Sequence, residues 1–338
     1  MTKTFLVTGA AGFIGFHLCK RLIKENFKIV ALDNLNPYYS TKLKKSRIAK
    51  IGKQTGDFFF IDGDIENIEL LERIFKEHKP QIVINLAAQA GVRYSISNPI
   101  SFLKTNVVGF GNILEVCRKN DIEHLIYASS SSVYGGNKKL PYREDSSVDH
   151  PVSLYAATKK SNELMAHTYS HLYSLPATGL RFFTVYGPWG RPDMSYFLFT
   201  KAIFEKKSIE IYNYGDMDRD FTYIDDIIES LIRLANKIPK PEKNFDSKNP
   251  IASSSWAPHR IFNIGNSNKV KLIDFINIIE NEIGIKAIKN FLPMQKGDVQ
   301  STLADTSLLE QYINFKPQTS LDFGIKKFIE WYRLFYNI

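Results

Sequence analysis

A tyrosine and a lysine four residues apart are the first pair in this sequence that could transfer protons. Tyr155 and Lys159, in SLYAATKK, would share one face of a helix. A phenol with a pKa near about 10 is a poor base at neutral pH, and a close ammonium group favours its ionised form. The same spacing is also common on helix surfaces, so the prediction depends on the neighbouring motifs.

A run of serines supplies the first of those motifs. The segment ASSSSVYG, residues 128–135, ends an apolar run that predicts a buried strand. Doubly wound parallel sheets bind their ligands outside the carboxyl ends of their strands. We therefore expect a serine hydroxyl of this segment to hold a reacting oxygen in line with Tyr155.

A glycine-rich turn, TGAAGFIG, predicts a dinucleotide site. It lies between the first apolar run and the first helical pattern. Gly9 permits a tight turn, Gly12 lets the backbone approach a pyrophosphate, and Gly15 lets the helix pack closely on its strand. Asp33 ends the second apolar run, about 20 residues further on, where a carboxylate can bind both ribose hydroxyls and repel a 2′-phosphate. The pattern favours NAD over NADP and, with Tyr155, predicts hydride transfer on an alcohol or ketone.

A fourth motif, RFFTVYGPWGRPDM at residues 181–194, predicts a rigid loop shaped around an anion. Its strand pattern ends at Thr184 and continues into a segment of Gly and Pro with one Trp, one Asp and one Arg. We expect Arg191 to bind an anionic group of the ligand. The alternative is a surface arginine that caps a turn. Trp189 is expected to pack the loop.

Alternating strand and helix patterns predict the frame that positions these motifs. The first half is an α/β segment whose continuous apolar runs are typical of strands buried on both faces of a doubly wound, Rossmann-type parallel sheet. We divide the chain into residues 1–180, a NAD-binding domain, and residues 181–338, a smaller mixed α/β lobe for the substrate, some of whose strands and helices return to the large domain. The strand patterns of the first half are KTFLVTG, KIVALDN, DFFFIDGD, QIVINLAA, HLIYASS and LPATGLRFF, and the helical patterns cover residues 13–24, 66–77, 100–119 and 154–173.

Composition limits the partners. The 338 residues are 44% hydrophobic, which predicts a globular protein, and the net charge of +9 is scattered. The densest basic run, KLKKSR at residues 42–47, lacks interleaved aromatics and predicts a solvated helix face or a basic rim near an anionic ligand, not a nucleic-acid site. Cys19 and Cys117 are expected to be free, buried thiols. Apolar runs are too short for a membrane span, so we expect a cytoplasmic protein.

The motifs together resemble the extended short-chain dehydrogenase/reductase family of nucleotide-sugar enzymes. Matches cover nearly the whole chain in the order of the family: VTGAAGFIG, NLAAQAGVRYS, ASSSSVYG, YAATKK, RFFTVYGP, RDFTYIDD and GDVQSTLAD. The resemblance implies that Tyr155 is the acid/base and Lys159 its partner. It implies that Ser130, five residues before Gly135, contacts the sugar oxygen. The neighbouring alternatives are Ser129, Ser131 and Ser132.

The same resemblance implies the remaining contacts of NAD and of a UDP-sugar. Arg219 is expected to pair with the nucleotide diphosphate and Asp298 to bind its ribose. The implied cofactor contacts are Gly9, Gly12, Phe13, Ile14, Gly15, Asp33, Asn34, Asp64, Ile65, Leu86, Ala87, Ala88, Asn106, Tyr155, Lys159 and Phe182. The implied substrate contacts are Arg93, Ser130, Ser131, Thr184, Arg191, Tyr212, Arg219 and Asp298.

Departures from the relatives narrow the expected reaction. Sugar 4,6-dehydratases carry an Asp-Glu pair where this chain has Ser131 and Ser132, so the acid and base for water elimination are missing. Enzymes that oxidatively decarboxylate uronic acids carry a Glu at the place of Ser132. UDP-galactose epimerases have Asn at the place of Thr184 and Arg at the place of Gln295, which argues against a neutral hexose.

The motif RFFTVYGPWGRPDM resembles the corresponding loop of UDP-glucuronate 4-epimerases over its whole length. Oxidising C4 of a uronic acid gives a β-keto acid, which loses CO₂ readily. A guanidinium fork at Arg191 with the Thr184 hydroxyl can hold the carboxylate so that the C5–C6 bond stays near the carbonyl plane. We therefore expect C4 epimerisation of a UDP-sugar, namely UDP-glucuronate, with tightly bound NAD recycled in each turnover.

Two alternatives remain from the sequence. One is a 4-epimerase of another UDP-sugar, such as UDP-N-acetylglucosamine or UDP-glucose. The other is a non-catalytic NAD-binding regulatory protein, although such relatives usually lack the Tyr or the Lys that this chain keeps. The resemblance also implies a homodimer formed through the helices near residues 100–119 and 154–173.

Overall fold

The apolar runs of the first half form the strands of the central sheet. The structure is a computed structural model that describes residues 2–54, 56–295 and 297–338. Its strands are β1 (Thr4–Thr8), β2 (Lys28–Asp33), β3 (Phe58–Asp62), β4 (Ile82–Asn85), β5 (His124–Ala128), β6 (Ala177–Phe182), β7 (Thr184–Tyr186), β8 (Ser208–Ile211), β9 (Asp218–Tyr223), β10 (His259–Ile264), β11 (Lys269–Lys271) and β12 (Ile288–Phe291).

Helices connect these strands, and several begin at the residues where the spacing of apolar side chains predicts them. The helix that carries Tyr155 and Lys159 covers the full predicted span, residues 154–173. The predicted helix over residues 100–119 is interrupted by a π-helical turn, Leu103–Gly109. The helices are α1 (Phe13–Lys24), α2 (Thr41–Gly52), α3 (Ile68–His78), α4 (Tyr94–Ser97), α5 (Pro99–Phe102), α6 (Phe110–Lys119), α7 (Leu154–Tyr173), α8 (Ser195–Phe204), α9 (Ile224–Ala235), α10 (Leu272–Ile283), α11 (Ser307–Ile313) and α12 (Leu321–Tyr336).

The central sheet is parallel throughout the part of the chain that the structure describes, in the order β10-β6-β5-β4-β1-β2-β3. The chain moves from β1 outwards to β3, then crosses to the other side of β1 at β4. The loops after β1 and β4 therefore leave in opposite directions and open a crevice, which is where such sheets bind ligands. The predicted α/β, doubly wound fold is confirmed. One strand of the second half, β10, pairs with β6 in this sheet.

The second half also forms two small sheets beside the crevice. The described strands pair in the orders β11-β9-β7 and β12-β8. Buried side chains of α8, α10 and α12, such as Phe199, Phe275 and Phe328, continue the core from one face of the large sheet into this region. A separate core, which includes Leu71 and Phe110, packs α3, α6 and α7 on the opposite face.

One strand is less buried than its sequence predicts. The run DFFFIDGD is typical of a strand covered on both faces, yet β3 is an edge strand and the Phe59 side chain is 44% exposed. Helix α2 lies beside this edge but leaves part of the strand uncovered. Apolar content alone does not distinguish a central from an edge position, because both need β-forming side chains.

The basic run on α2 is partly buried, so it is not solvated over its whole length, and the alternative prediction of a basic rim near an anionic ligand stays a prediction. Lys42 and Lys45 are exposed, whereas Lys44 and Arg47 are buried. Arg47 follows Leu43 by one helical turn and therefore lies on the face that packs against the protein.

The prediction for the two cysteines agrees with the structure. Cys19 and Cys117 are free and buried, as expected, and burial raises the pKa of both thiols. A search of the described helices for one both long and apolar enough to cross a membrane finds none.

Candidate active site

A cavity of about 1010 Å³ opens at the carboxyl ends of the central strands. Its walls come from the β1–α1 turn, the β2–α2 loop, the ends of β4, β5 and β6, helix α7, and loops of the second half. This volume is at the upper end of the range for small-molecule sites. The four motifs SLYAATKK, ASSSSVYG, TGAAGFIG and RFFTVYGPWGRPDM meet in this cavity.

Nearly every residue predicted for the site lines the cavity wall. Asn106, which is predicted to flank the cofactor, does not line it among the residues that the structure describes: its side chain is buried and bonds to the backbone of Gln89 and to Thr158. The predicted residues on the wall are Gly9, Gly12, Phe13, Ile14, Gly15, Asp33, Asn34, Asp64, Ile65, Leu86, Ala87, Ala88, Arg93, Ser130, Ser131, Tyr155, Lys159, Phe182, Thr184, Arg191, Tyr212, Arg219 and Asp298.

The glycine-rich turn has no room for side chains at two positions. Gly9 has φ +69°, and a Cβ there would lie 2.7 Å from the backbone nitrogen of Ala87. A Cβ on Gly15 would lie 2.2 Å from the carbonyl oxygen of Gly9. Helix α1 begins after Gly12, which has no side chain to cap the first-turn amides. This helix end can therefore bind an anion that approaches the backbone.

Asp33 closes the same side of the cavity. Its carboxylate accepts hydrogen bonds from the backbone N–H groups of Ala11, at 3.0 Å, and Leu35, at 2.8 Å. Burial raises the pKa of Asp33, and the nearby charge of Lys44 partly opposes that rise. The side chain is thus fixed next to the glycine-rich turn, with its carboxylate on the cavity wall.

The tyrosine, lysine and serine of the first two motifs lie together. Ser130 is buried, and its hydroxyl is close enough to Tyr155 to favour the ionised phenol. Lys159 Nζ donates to the carbonyl oxygen of Ala128, at 2.9 Å, and burial lowers the pKa of this lysine to about 8. The three groups can hold a substrate oxygen and move a proton on it.

The pKa of Tyr155 is set mainly by burial among the chain's own groups. Burial raises this pKa above the ordinary value, and the Ser130 hydroxyl and the charge of Arg191 oppose that rise. Lys159 is hydrogen-bonded to a backbone carbonyl and not to the phenol. That the ammonium and the positive nicotinamide of NAD⁺ together favour the phenolate stays a prediction.

The structure also separates the neighbouring serines. The Ser129 hydroxyl donates to Glu163, at 2.7 Å, and the Glu163 carboxylate is held by a buried, two-pronged ion pair with Arg181 at 2.8 and 2.9 Å. Glu163 lies two turns after Tyr155 on α7. Because the Ser129 hydroxyl is engaged with Glu163 and the Ser130 hydroxyl lies against the Tyr155 phenol, Ser130 is the serine best placed beside Tyr155.

Arg191 reaches the cavity from the loop between β7 and α8, residues 187–194, which we call the Arg191 loop. Its Nε donates to Asp193 Oδ1 at 3.0 Å, and its Nη2 donates to Oδ2 at 2.5 Å. The Tyr38 hydroxyl donates to the same Oδ2 atom at 3.1 Å. The side chains of Arg191 and Asp193 are 26% and 25% exposed.

The Arg191 loop is anchored from two directions. Arg47 donates to the carbonyl oxygens of Trp189 and Gly190, at 2.6 and 3.1 Å, and also to that of Ala11 in the glycine-rich turn, at 2.8 Å. The Trp189 ring packs against Phe16, with centroids 5.1 Å apart, and against two aromatic rings of α12. Trp189 thus packs the loop, as predicted.

The far end of the cavity gathers the remaining predicted substrate residues. Arg93 pairs with Asp298 at 2.9 Å, and its guanidinium lies over the Tyr212 ring, 4.8 Å from the centroid. Arg219 donates to the carbonyl oxygens of Asp218 and Gln300. Burial lowers the pKa of Arg219. Two arginines at one end make this part of the cavity suitable for an anionic ligand group.

Comparison with known proteins identifies the family of this site. Residues 5–248 match the model of the NAD dependent epimerase/dehydratase family. The chain belongs to this family. The resemblance that the sequence motifs predict is therefore confirmed.

Individual members of the NAD dependent epimerase/dehydratase family match over nearly full length. The chain is 53% identical over 332 residues to Protein CapI of Staphylococcus aureus, covering 98% of this chain and 99% of that protein. It is 47% identical over 329 residues to a probable UDP-glucuronate 4-epimerase of Rhizobium meliloti, covering 97% and 96%. The crystal structure of a UDP-glucuronic acid 4-epimerase from Bacillus cereus with UDP-glucuronic acid and NAD superposes with a TM-score of 0.87 at 33% identity, covering 98% of this chain and 100% of that chain.

In this family member, sequence reasoning missed several groups that shape the cavity. Tyr38, Gln89 and Asp193 line it. The Arg-x-Asp spacing of the Arg191 loop was a readable signal for Asp193, since side chains two residues apart in a turn can pair. Nothing near Tyr38 in the sequence indicates that it meets a loop more than 150 residues away.

Proposed function

We propose that this protein is a NAD-dependent UDP-glucuronate 4-epimerase, which interconverts UDP-glucuronate and UDP-galacturonate. The observation that carries the proposal is the position of Arg191 in the same cavity as Tyr155, Ser130 and Lys159. A guanidinium on the wall beside a tyrosine–serine–lysine group suits a sugar that carries a carboxylate next to the carbon being oxidised. The names and bound ligands of the relatives agree with this substrate.

The residues of the cavity fit NAD. Side-chain atoms are excluded at Gly9 and Gly15, so that the backbone of the turn and the start of α1 can approach a pyrophosphate. Asp33 presents a carboxylate on the same wall, which suits two ribose hydroxyls and repels a 2′-phosphate. When bound, NAD supplies a hydride acceptor that takes hydrogen from C4 and returns it to the opposite face.

Tyr155 and Ser130 handle the proton on the C4 oxygen. Tyr155 accepts the hydroxyl proton as C4 is oxidised and returns it as C4 is reduced, while Ser130 holds the oxygen by a hydrogen bond. The high pKa that burial gives Tyr155 makes its phenolate costly. The Ser130 hydroxyl and the charge of Arg191 both favour that phenolate, so Ser130 and the Arg191 loop act on the same proton transfer.

Arg191 and Thr184 control the carboxylate at C6. Decarboxylation of the 4-keto sugar breaks the C5–C6 bond, sends its electron pair into an enolate with the C4 carbonyl, and releases CO₂. The reaction needs the C5–C6 bond aligned with the carbonyl π orbitals. A guanidinium that hydrogen-bonds the carboxylate, with the Thr184 hydroxyl beside it, keeps that bond near the carbonyl plane.

The remaining predicted residues are proposed to hold the nucleotide. Arg219 is placed to neutralise the diphosphate, and the Arg93–Asp298 pair with the Tyr212 ring is placed to bind ribose and base. The division into a NAD-binding part, residues 1–180, and a UDP-sugar part, residues 181–338, stays a proposal that this arrangement supports.

We also propose that the protein works as a homodimer in the cytoplasm. The helices expected at the interface carry exposed apolar side chains: Ile100, Leu103 and Val108 on one segment, Leu164 and Leu172 on α7. Aligned across a two-fold axis, such faces would bury each other.

The experiment that tests the function follows C4 configuration by proton NMR. The purified protein is incubated separately with UDP-glucuronate, UDP-glucose and UDP-N-acetylglucosamine, with and without added NAD⁺. We expect UDP-galacturonate to form from the first substrate fastest. Faster conversion of either neutral sugar would transfer the proposal to another UDP-sugar epimerase, and no conversion of any would favour a non-catalytic NAD-binding protein.

Tyr155→Phe removes only the phenol oxygen. We expect turnover to fall by ~10²-fold or more, because a positioned acid/base is lost, while UDP-glucuronate binding persists. The same NMR assay measures the rate, and calorimetry measures binding. Turnover close to that of the parent would remove Tyr155 from the mechanism.

A further inference from the structure

We propose that Asp193, held by Tyr38, gives the cavity its preference for a carboxylate-bearing sugar by fixing the orientation of Arg191. Asp193 is a positioning residue here and does not itself contact the substrate. The inference deepens the proposed function and rests on it, because it assumes that Arg191 binds the carboxylate.

The hydrogen bonds of Arg191 divide its guanidinium into two parts. Nε and Nη2 are engaged with the two oxygens of Asp193. Nη1 donates to no acceptor among the described residues, and Arg191 forms part of the cavity wall. A guanidinium carries five N–H donors in a fixed plane, so it can serve two carboxylates on different sides. Asp193 thus occupies one side and leaves the other for the ligand.

The position of Asp193 is itself fixed. Its Oδ2 accepts from the Tyr38 hydroxyl, and burial raises the pKa of Tyr38 to about 12, so this phenol remains a donor. The Tyr38 ring packs on Tyr94, with centroids 4.7 Å apart. A Cβ at Gly91 would lie 2.5 Å from the Tyr38 hydroxyl oxygen, so the ring is confined on that side as well.

Asp193 could orient Arg191 or compete with the substrate carboxylate for it, and the fixed position of Asp193 favours the first role. An aspartate that blocked the arginine and withdrew on substrate binding would need freedom to move. Here the Asp193 carboxylate is hydrogen-bonded to Arg191 and to Tyr38 at the same time, and the Tyr38 ring is packed against Tyr94. Burial pushes the pKa of Asp193 up, but Arg191 and Tyr38 more than offset it, so the group stays anionic and holds the guanidinium.

Tyr38 places the origin of this selectivity on the cofactor side of the cavity. It lies in the β2–α2 loop, five residues after Asp33, whereas Asp193 and Arg191 belong to the second half. The sugar carboxylate is therefore read by a cation whose direction is set from the loop beside the dinucleotide ribose.

The test compares three variants of the NAD-loaded protein. Asp193→Asn removes the charge and one arm of the fork, and Tyr38→Phe removes one hydroxyl. Asp145→Asn is the matched control, because Asp145 forms the same two-residue-spaced pair with Arg143 on an exposed loop. Calorimetry gives the dissociation constants of UDP-glucuronate and UDP-glucose for each variant, and trapped CO₂ reports escape of the 4-keto intermediate.

We expect Asp193→Asn to weaken UDP-glucuronate binding about tenfold, as for loss of a charge-assisted contact, with UDP-glucose binding within about twofold of the parent. Tyr38→Phe should give a smaller change, about threefold, in the same direction. Asp193→Asn should also release CO₂ that the parent and Asp145→Asn do not. If Asp193→Asn does not fold, Tyr38→Phe carries the same comparison.

Three results would overturn the inference. Equal weakening of both sugars would show a merely structural role, tighter UDP-glucuronate binding would show competition, and no change would show no role. Failure of the inference is separable from failure of the function. If the parent prefers UDP-glucuronate and Arg191→Ala abolishes that preference while Asp193→Asn does not, only the inference fails. If the parent has no such preference, the proposed function fails with it.

Discussion

Two arginine–aspartate pairs in this chain share one spacing and differ in their surroundings. Arg191 and Asp193 form a fork at 3.0 and 2.5 Å, and Arg143 and Asp145 form one whose shortest contact is 3.0 Å. The first pair is 26% and 25% exposed, and the second 57% and 39%. Only the first lies on the wall of the large cavity.

The comparison shows that a short spacing can produce an ion pair without producing a site. Water screens an exposed pair, so its two charges interact weakly with each other and with any ligand. Around Arg191 the Tyr38 hydroxyl holds its aspartate, and the Tyr196 hydroxyl accepts from its backbone N–H at 3.1 Å. Tyr38 comes from a distant part of the chain and Tyr196 from the following helix, and together they turn one of two similar pairs into a directed cation.

The largest expected difference between the pairs comes from removing each arginine. Arg191→Ala should weaken UDP-glucuronate binding by about one to two powers of ten, because a charge-assisted hydrogen bond is worth ~1.5–3 kcal/mol. UDP-glucose binding should barely change, and the variant should release CO₂ with a UDP-4-keto-pentose. Arg143→Ala, the control, should behave as the parent does. Calorimetry and a CO₂ trap measure both effects, and a parent-like Arg191→Ala would show that the loop is structural.

A smaller difference between the two pairs is expected when each arginine is replaced by lysine, which keeps the positive charge and loses the planar guanidinium. Lysine cannot form the planar fork, so Arg191→Lys should weaken UDP-glucuronate binding by roughly three- to tenfold, while Arg143→Lys changes nothing. Dissociation constants for both UDP-sugars measure this. If Arg191→Lys bound like the parent, charge alone would suffice and the orientation argument would lose its support.

The smallest expected effect is the response of the preference to pH. Burial raises the pKa of Asp193, but the charge and hydrogen bonds of Arg191 together with the hydrogen bond from Tyr38 outweigh it, so the net pKa is below the ordinary value. A carboxylate with a depressed pKa contributes above its ordinary pKa, near about 4, and its contribution is lost only as pH falls through the depressed value. The ratio of the two dissociation constants should therefore stay level from pH 8 to pH 5, the range to be measured. A ratio that declines within this range would mean that Asp193 takes up a proton there.

The rate of turnover, unlike the ratio of dissociation constants, should change near the upper end of that pH range. Burial lowers the pKa of Lys159 to about 8, so its ammonium form is lost as pH rises through this value. The binding ratio is thus the cleaner measure of the Arg191 pair.

Local patterns predicted most of the frame. The strands from β1 to β6, the turn at Gly9 and the long helix of Tyr155 follow from apolar runs, glycine spacing and helical period, which are properties of neighbouring residues. The edge position of β3 did not follow, because strand order is decided by crossovers and not by composition.

The structure brings most of the predicted site residues together, and the contacts that the sequence did not indicate lie where distant segments meet. Arg47 was assigned to a solvated helix face or a basic rim, but its four hydrogen bonds go to groups in two other parts of the chain and to Tyr39 just before its own helix. Asn106 was placed on the cofactor by resemblance, whereas the structure uses it to fix Gln89. Neither contact leaves a trace in the nearby sequence.

The buried guanidinium of Arg47 links two wall segments of the cavity. It holds the Ala11 carbonyl of the glycine-rich turn and the Trp189 and Gly190 carbonyls of the Arg191 loop at the same time. Moving either segment alone would take acceptors away from this buried charge, at a cost of about 1.5–3 kcal/mol for each hydrogen bond to a charged group that is lost. Arg47 thus couples the positions of the glycine-rich turn and the Arg191 loop, which form two walls of one cavity.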